Sequence, residues 1–343
     1  VRRALAPALL AVLFMALART AALADCDDAV APGTVFFVTD REPLPGAPFF
    51  SGERGKTAAR ETIVTYGVTG APVTETNLHI CSTRAAFFNA IRKRFPAASP
   101  RRAMIYIHGY YRTFTQAAET AALLQKSLAF PGPVIFYSWP SKVTSRLTYV
   151  NDESNSRWAL SHFVDFLSQF EGAFSGTTIS FVSHSMGGRF ASAGFEFMRH
   201  SVCPKCVGRS IFYAPDEDSD TLYGEFERSG LCSTQPVAKA AAGSAALVTL
   251  YVSNRDTALR DSQELHGHQR AGEAGSEIIL CNGVDTIDVS YVKGGDSAGH
   301  TYQVYPEVLA DSRQAFAGVS PGSPLRKLTP AQRPNGAYYE LRP

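Results

Sequence analysis

The sequence predicts an α/β fold with a mostly parallel central sheet and helices on both faces. Three observations predict it. Apolar, β-branched or aromatic runs recur along the chain, amphipathic helical stretches fill the intervals, and no internal repeat or long low-complexity linker divides it. At 343 residues, 45% of them hydrophobic, the chain can bury a full core. A single domain over residues 25–319 is the economical reading.

The first residues differ in kind from the rest. Arg2 and Arg3 precede an apolar run from Ala4 to Ala18, and "RTAALA" then leads to Asp25. A basic start, a short apolar stretch and an A-L-A site together read as a signal peptide over residues 1–24, cleaved near Ala24. The run is interrupted by Pro7 and too short to span a bilayer comfortably, so no transmembrane span is expected in the mature chain. Export to the periplasm or the medium is the expectation. Removing Arg2, Arg3 and Arg19 from the 33 basic residues leaves 30 against 31 acidic ones, so the mature chain is near neutral. No basic stripe points to nucleic acid or an anionic membrane.

The strand runs are 34–40, 62–68, 103–109, 133–139, 178–184, 210–216, 246–254 and 285–290. From 103 onward they are nearly continuously apolar, as strands covered on both faces are. One helix stripe comprises Leu160, Phe163, Val164, Leu167 and Phe170; a second comprises Met186, Phe190, Ala193, Gly194 and Phe197. Strands separated by helices imply right-handed crossovers and parallel pairing. Residues 320–343, rich in proline and glycine, are expected as an extended C-terminal tail. The segment 217–245, where such folds insert a lid, is short, so a minimal cap is expected.

Six cysteines remain beyond the signal segment: Cys26, Cys81, Cys203, Cys206, Cys232 and Cys281. In an oxidising compartment they supply up to three disulfides of undetermined connectivity. The "CPKC" at 203–206 follows a helix and lacks a second such pair, so a structural disulfide is favoured over a redox or zinc site.

The chemistry centres on "TISFVSHSMGGRF", residues 178–190. A serine hydroxyl becomes a nucleophile only when exposed beside a base, and a sharp strand-to-helix turn exposes it by straining its backbone. That turn demands small residues on either side, which Ser183 and Gly187 provide around Ser185. The Met186 N–H, at the helix start, can face an oxyanion. The "IHGYYRTF" loop supplies a second donor in the Tyr110 N–H, with Gly109 permitting the turn and His108 holding the loop. His184 is expected to buttress the serine turn.

The motifs "HGYYRTF", "YSWPS", "SHSMGGR", "APDEDSD", "SNRDTAL" and "GHTYQVY" occur in the order and spacing of a bacterial family. Over residues 34–317 the chain resembles the α/β-hydrolase superfamily family long catalogued as a domain of unknown function. Tyr111 and Ser183 depart from its usual asparagine and alanine. The resemblance implies an α/β-hydrolase fold and the chain order nucleophile, acid, histidine.

The residues themselves fit that order. Asp256 follows the second strand after Ser185, with Asp216 after the preceding strand as the alternative acid. His300 follows the last predicted strand. Asp218 and Asp220 are expected to serve turns or helix caps. His266 and His268 form an H-x-H pair without an evident third ligand, and are expected at the surface. Ser185 would attack an acyl carbon, His300 act as base and Asp256 orient it, with no metal or organic cofactor. The expected activity is that of an exported serine hydrolase on small-molecule or lipid esters. The alternative is a catalytically weak envelope binding protein of the same fold.

Overall fold

The computed structural model describes residues 26–97, 100–144, 148–232, 245–294 and 296–343. The expected signal segment 1–24 lies outside them, as do residues 233–244 of the segment read as a minimal cap.

Thirteen strands are formed. They are β1 (Val35–Thr39), β2 (Arg41–Pro43), β3 (Phe50–Arg54), β4 (Thr65–Thr69), β5 (His79–Ile80), β6 (Arg102–Ile107) and β7 (Val134–Ser138), followed by β8 (Thr178–His184), β9 (Ser210–Tyr213), β10 (Val248–Val252), β11 (Val284–Asp288), β12 (Leu328–Arg333) and β13 (Gly336–Leu341). The helices among the described residues are α1 (Arg84–Arg92), α2 (Phe114–Ser127), α3 (Tyr149–Ala173), α4 (Gly188–Phe197), α5 (Ser219–Arg228), α6 (Thr257–His266) and α7 (Pro306–Phe316).

Eleven strands join one sheet in the order β12-β13-β11-β10-β9-β8-β6-β7-β1-β4-β5. Its centre, from β1 to β13, is parallel throughout. Both edges turn antiparallel, at β1–β4–β5 and at β12–β13. β2 and β3 pair in a separate two-stranded sheet.

Alternation along each strand divides the core in two. On β6, Ala103, Ile105 and Ile107 pack with Phe87 of α1, Phe163 of α3, Phe190 of α4 and Leu222 of α5. Met104 and Tyr106 face the other way, with Phe114 of α2, Leu259 of α6 and Val308 of α7. Every strand run read from the sequence therefore has its counterpart here.

Details of the helix stripes shift. On α3 the buried side chains include Ala159 and Phe166, while Leu160 and Val164 lie at the rim. On α4, Ala191 and Phe195 are buried where Ala193 and Phe197 were expected. Close packing against two neighbours, α3 and α5, rotates the buried face away from a simple stripe.

Residues 320–343 are not an extended tail. β13 adds to the sheet in parallel with β11, and β12 folds back upon it as the edge. Pro330 is tolerated because an edge strand has one side free of ladder bonds. The six cysteines form Cys26–Cys81, Cys203–Cys206 and Cys232–Cys281. Among the described residues, no helix is long and apolar enough to cross a membrane.

Candidate active site

A parallel sheet gathers its following loops at the C-terminal ends of its strands. Here those loops bring Ser185, Tyr110, His184, Asp216 and His300 to one cavity of about 690 Å³. Tyr111, Tyr149, Leu265 and Val304 give it an aromatic and aliphatic wall, with Arg112, Asp261 and Asp296 also lining it.

Ser185 directly follows β8 and begins a tight turn over Ser185–Gly187 that leads into α4. Its φ is +54°, a left-handed conformation that costs a non-glycine residue about 1–2 kcal/mol. The crowding expected around it is present. A Cβ on Gly187 would lie 2.5 Å from the Ile107 carbonyl oxygen, and one on Gly109 would lie 2.6 Å from the Ser185 Cβ. The His-Gly turn after β6 thus packs directly on the serine, which brings the Tyr110 backbone into its vicinity. Met186 is buried in the first turn after Ser185, where N–H groups lack an intrahelical acceptor. Ser183 fits as a small residue, but its Oγ is buried with no hydrogen-bond partner among the described residues.

His300 Nδ1 lies 2.7 Å from Asp256 Oδ2. Asp256 caps α6 at the same time, its Oδ1 accepting from the Leu259 N–H at 3.0 Å. Two bonds, one to each oxygen, therefore fix the carboxylate and, through it, the imidazole. Burial lowers the His300 pKa, but the charge and hydrogen bond of Asp256, joined by the charges of Asp216 and Asp296, together outweigh it and hold the imidazole pKa above its ordinary value. The backbone of His300 is held as well, its N–H donating to Asp296 Oδ1 at 2.9 Å. His184 Nε2 donates to the His300 carbonyl at 3.0 Å. His184 thus ties the serine turn to the histidine loop, a bridge in addition to the expected buttress. Burial, then the charge of His300, holds its own pKa well below the usual value.

Asp216 is not bonded to His300. Its Oδ1 accepts from Ser262 Oγ at 2.6 Å and Arg270 Nε at 2.9 Å, and its Oδ2 from Tyr149 Oη at 2.6 Å. Burial raises its pKa, but Arg270 and then Arg189 offset that and leave it below the ordinary carboxylate range. Asp218, expected at a turn or cap, stands at the α5 N-cap without a side-chain capping bond and instead pairs with Arg270. Asp220 falls in the first turn of α5. His266 is half-buried, bonding Ser262 and lying 3.4 Å from Glu153, whereas His268 is exposed.

His108 holds its loop as expected. Its ring stacks on Trp139 at 5.0 Å, and Trp139 Nε1 donates to the His108 carbonyl at 2.8 Å. Nδ1 donates to the Gly109 carbonyl at 2.8 Å, leaving Nε2 to accept. Burial and then the neighbouring Arg41 keep the ring well below its usual pKa.

Arg41 is the residue that motif reading missed. It is 1% exposed, yet pairs directly with no carboxylate among the described residues. Its guanidinium bonds Ser138 Oγ (2.9 Å), the carbonyls of Ser51 (3.1 Å), Ser141 (3.2 Å) and Arg112 (2.7 Å), and His108 Nε2 (3.3 Å). One nitrogen, Nη2, grips both His108 and Arg112, the two ends of the Gly109–Tyr111 turn. Tyr111 within that turn has φ +58°. Burial brings the Arg41 pKa down to about 10. A charged residue directly after the apolar run 34–40 was its signal in the sequence.

Fold and strand order define the class: an α/β hydrolase. The chain belongs to the family described as an alpha/beta hydrolase of unknown function (DUF900), whose model matches residues 83–314. No curated protein matches the chain. Among solved structures it is similar to a predicted CIB-like hydrolase from Thermoplasma acidophilum at 13% identity and TM-score 0.33, covering 64% of this chain and 87% of that one. It is similar to the catalytic core of acetyl xylan esterase from Trichoderma reesei at 10% identity and TM-score 0.34, covering 64% and 96%. Fungal esterase from Rhizomucor miehei gives 9% identity and TM-score 0.37, covering 92% and 93%. Likenesses this distant carry no argument about substrate.

Proposed function

We propose that this chain is a serine hydrolase of carboxylic esters, working through an acyl-enzyme. One observation carries the reading: a histidine bonded to a capped aspartate, His300 to Asp256 at 2.7 Å, shares a cavity with a serine held at φ +54°. In the first step His300 Nε2 takes the Ser185 proton while Oγ attacks the acyl carbon. The carbonyl π pair moves onto oxygen, and the Met186 and Tyr110 N–H groups stabilise that oxyanion. Collapse expels the alcohol, which takes the proton from His300. Water then attacks the acyl-enzyme with His300 again as base, releasing the carboxylic acid and restoring Ser185. Asp256 keeps the proton-accepting nitrogen toward Ser185 and stabilises the imidazolium.

The tyrosine and aliphatic wall suits an apolar acyl or aryl group, within the volume range of ordinary small-molecule pockets. Three disulfides accord with an exported protein carrying a cleaved signal. The test is labelling with a fluorophosphonate, mapped by mass spectrometry, alongside a panel of p-nitrophenyl esters. Label on Ser185 that disappears in Ser185→Ala and in His300→Ala is expected. Folded wild-type protein that takes no label and turns over no ester overturns the proposal.

A further inference from the structure

Ser185 follows the C-terminal end of β8. A second cavity, of about 620 Å³, opens at the other end of the same strands, around Arg102 of β6, Thr178 of β8 and Arg209 before β9. The seven residues of β8 separate the two by roughly 20 Å at the usual strand rise.

The lining is unusual in charge. It contains Arg102, Arg209 and Arg313, and neither aspartate nor glutamate. Arg209 is half-buried, whereas Arg102 and Arg313 are exposed. The fully buried arginines among the described residues are heavily engaged: Arg270 with Asp216 and Asp218, Arg326 with Asp311, Arg41 with five acceptors. None of the three cavity arginines has a side-chain hydrogen bond or ion pair among the described residues. Arg209 Nε is buried with no acceptor. Asp285, whose carboxylate feels the Arg209 charge, already accepts from the Ala246 N–H and lies near Arg326. Gly318 lets the backbone close against this guanidinium, since a Cβ there would lie 2.7 Å from Arg209 Nη2. The remaining wall is apolar, with Leu128, Phe130, Leu247 and Phe316.

Guanidinium groups that have no partner among the described residues, set beside an apolar wall, match an amphiphilic anion: a planar donor set for the head and an apolar surface for the tail. The geometry points to a non-catalytic binding site for a medium-chain carboxylate in this second cavity, its head held by Arg209 with Arg102 and Arg313. This site stands independently of the role of Ser185.

The experiment is isothermal titration of decanoate into the full chain after Ser185 has been blocked with a fluorophosphonate, or into Ser185→Ala if no label is taken. Decyl phosphate, inorganic phosphate and decanol are titrated in parallel. Saturable decanoate binding is expected, weakened tenfold or more by Arg209→Gln and by rising salt, with decanol and inorganic phosphate each at least tenfold weaker than decanoate. Arg313→Gln and Arg102→Gln, at exposed positions, give the same direction without risk to the fold, and Arg209→Lys retains part of the affinity. Decanoate binding that none of the three glutamine variants alters overturns the site. Decyl phosphate binding tenfold tighter than decanoate overturns the carboxylate assignment.

Discussion

Asp256 does two jobs with two oxygens, and substitutions can separate them. In Asp256→Asn the side-chain oxygen still accepts the Leu259 N–H, so α6 stays capped and stability changes by no more than ~0.5 kcal/mol. The amide nitrogen then faces His300 Nδ1, where a donor meets a donor unless the imidazole changes tautomer. The changed tautomer presents N–H to Ser185 and cannot take its proton. A loss on the order of 10⁴ in kcat follows from the triad template, equivalent to about 5.5 kcal/mol of transition-state stabilisation. Asp256→Ala loses the cap as well, and about 1 kcal/mol of stability with it. Asp216→Asn behaves in the opposite way. It weakens the buried pair with Arg270 and the bonds from Ser262 and Tyr149, lowering stability by about 3 kcal/mol or more while kcat stays within tenfold. The assay is p-nitrophenyl ester hydrolysis with thermal melts of the same samples. Near-wild-type turnover in Asp256→Asn, with the 10⁴-fold loss in Asp216→Asn, would refute the assignment of the acid.

Further outcomes are expected. Because His300 must be neutral to act as base and its pKa is raised, kcat/KM should fall as pH drops through a value above 6.5; Asp256→Asn removes the main raising charge, so its residual activity should hold to lower pH. An acid limb that does not move between the two proteins would assign the titration to another group. Arg41→Lys keeps a cation but cannot span five acceptors; kcat should drop tenfold or more and KM rise with it, because opening the clamp on the Gly109–Tyr111 turn displaces both the Tyr110 N–H and the Tyr111 wall. Equal kcat with a lower melting temperature would make Arg41 purely structural. Gly109→Ala drives a methyl into the Ser185 Cβ, and overpacking costs about 1–3 kcal/mol along with fluorophosphonate labelling. Unchanged labelling would show the turn can yield. Reducing Cys26–Cys81 and Cys232–Cys281, which close intervals of 55 and 49 residues, should cost about 4 kcal/mol each on the chain-entropy account, read as a fall in melting temperature with dithiothreitol.

The parallel centre was legible because strands buried on both faces leave continuous apolar runs, as "AMIYIHG" and "TISFVSH" do. β12 and β13 were not. Pro330 and the Pro334-Asn335-Gly336 turn have the composition of a loop, and only their place at the sheet edge makes such residues acceptable in a hairpin. At the site, the order Ser185, Asp256, His300 could be read because each follows a strand. Which aspartate meets the histidine could not: Asp216 and Asp256 follow adjacent strands, and the difference lies in Arg270, Ser262 and Tyr149, which reach Asp216 from distant parts of the chain. Arg41 was illegible for a related reason. Its acceptors are mostly backbone carbonyls, and a carbonyl leaves no trace in residue identity.

The small β2–β3 sheet supplies none of the residues lining the cavity around Ser185, yet Arg41 belongs to β2 and bonds the Ser51 carbonyl of β3. That makes the hairpin a remote handle on the reaction. Shortening it, lengthening it or grafting another sequence between Pro43 and Phe50 would act on the cavity only through Arg41 and the turn that carries Tyr110 and Tyr111. Libraries confined to pocket-lining positions would pass over this second layer, which holds the turn without touching the cavity.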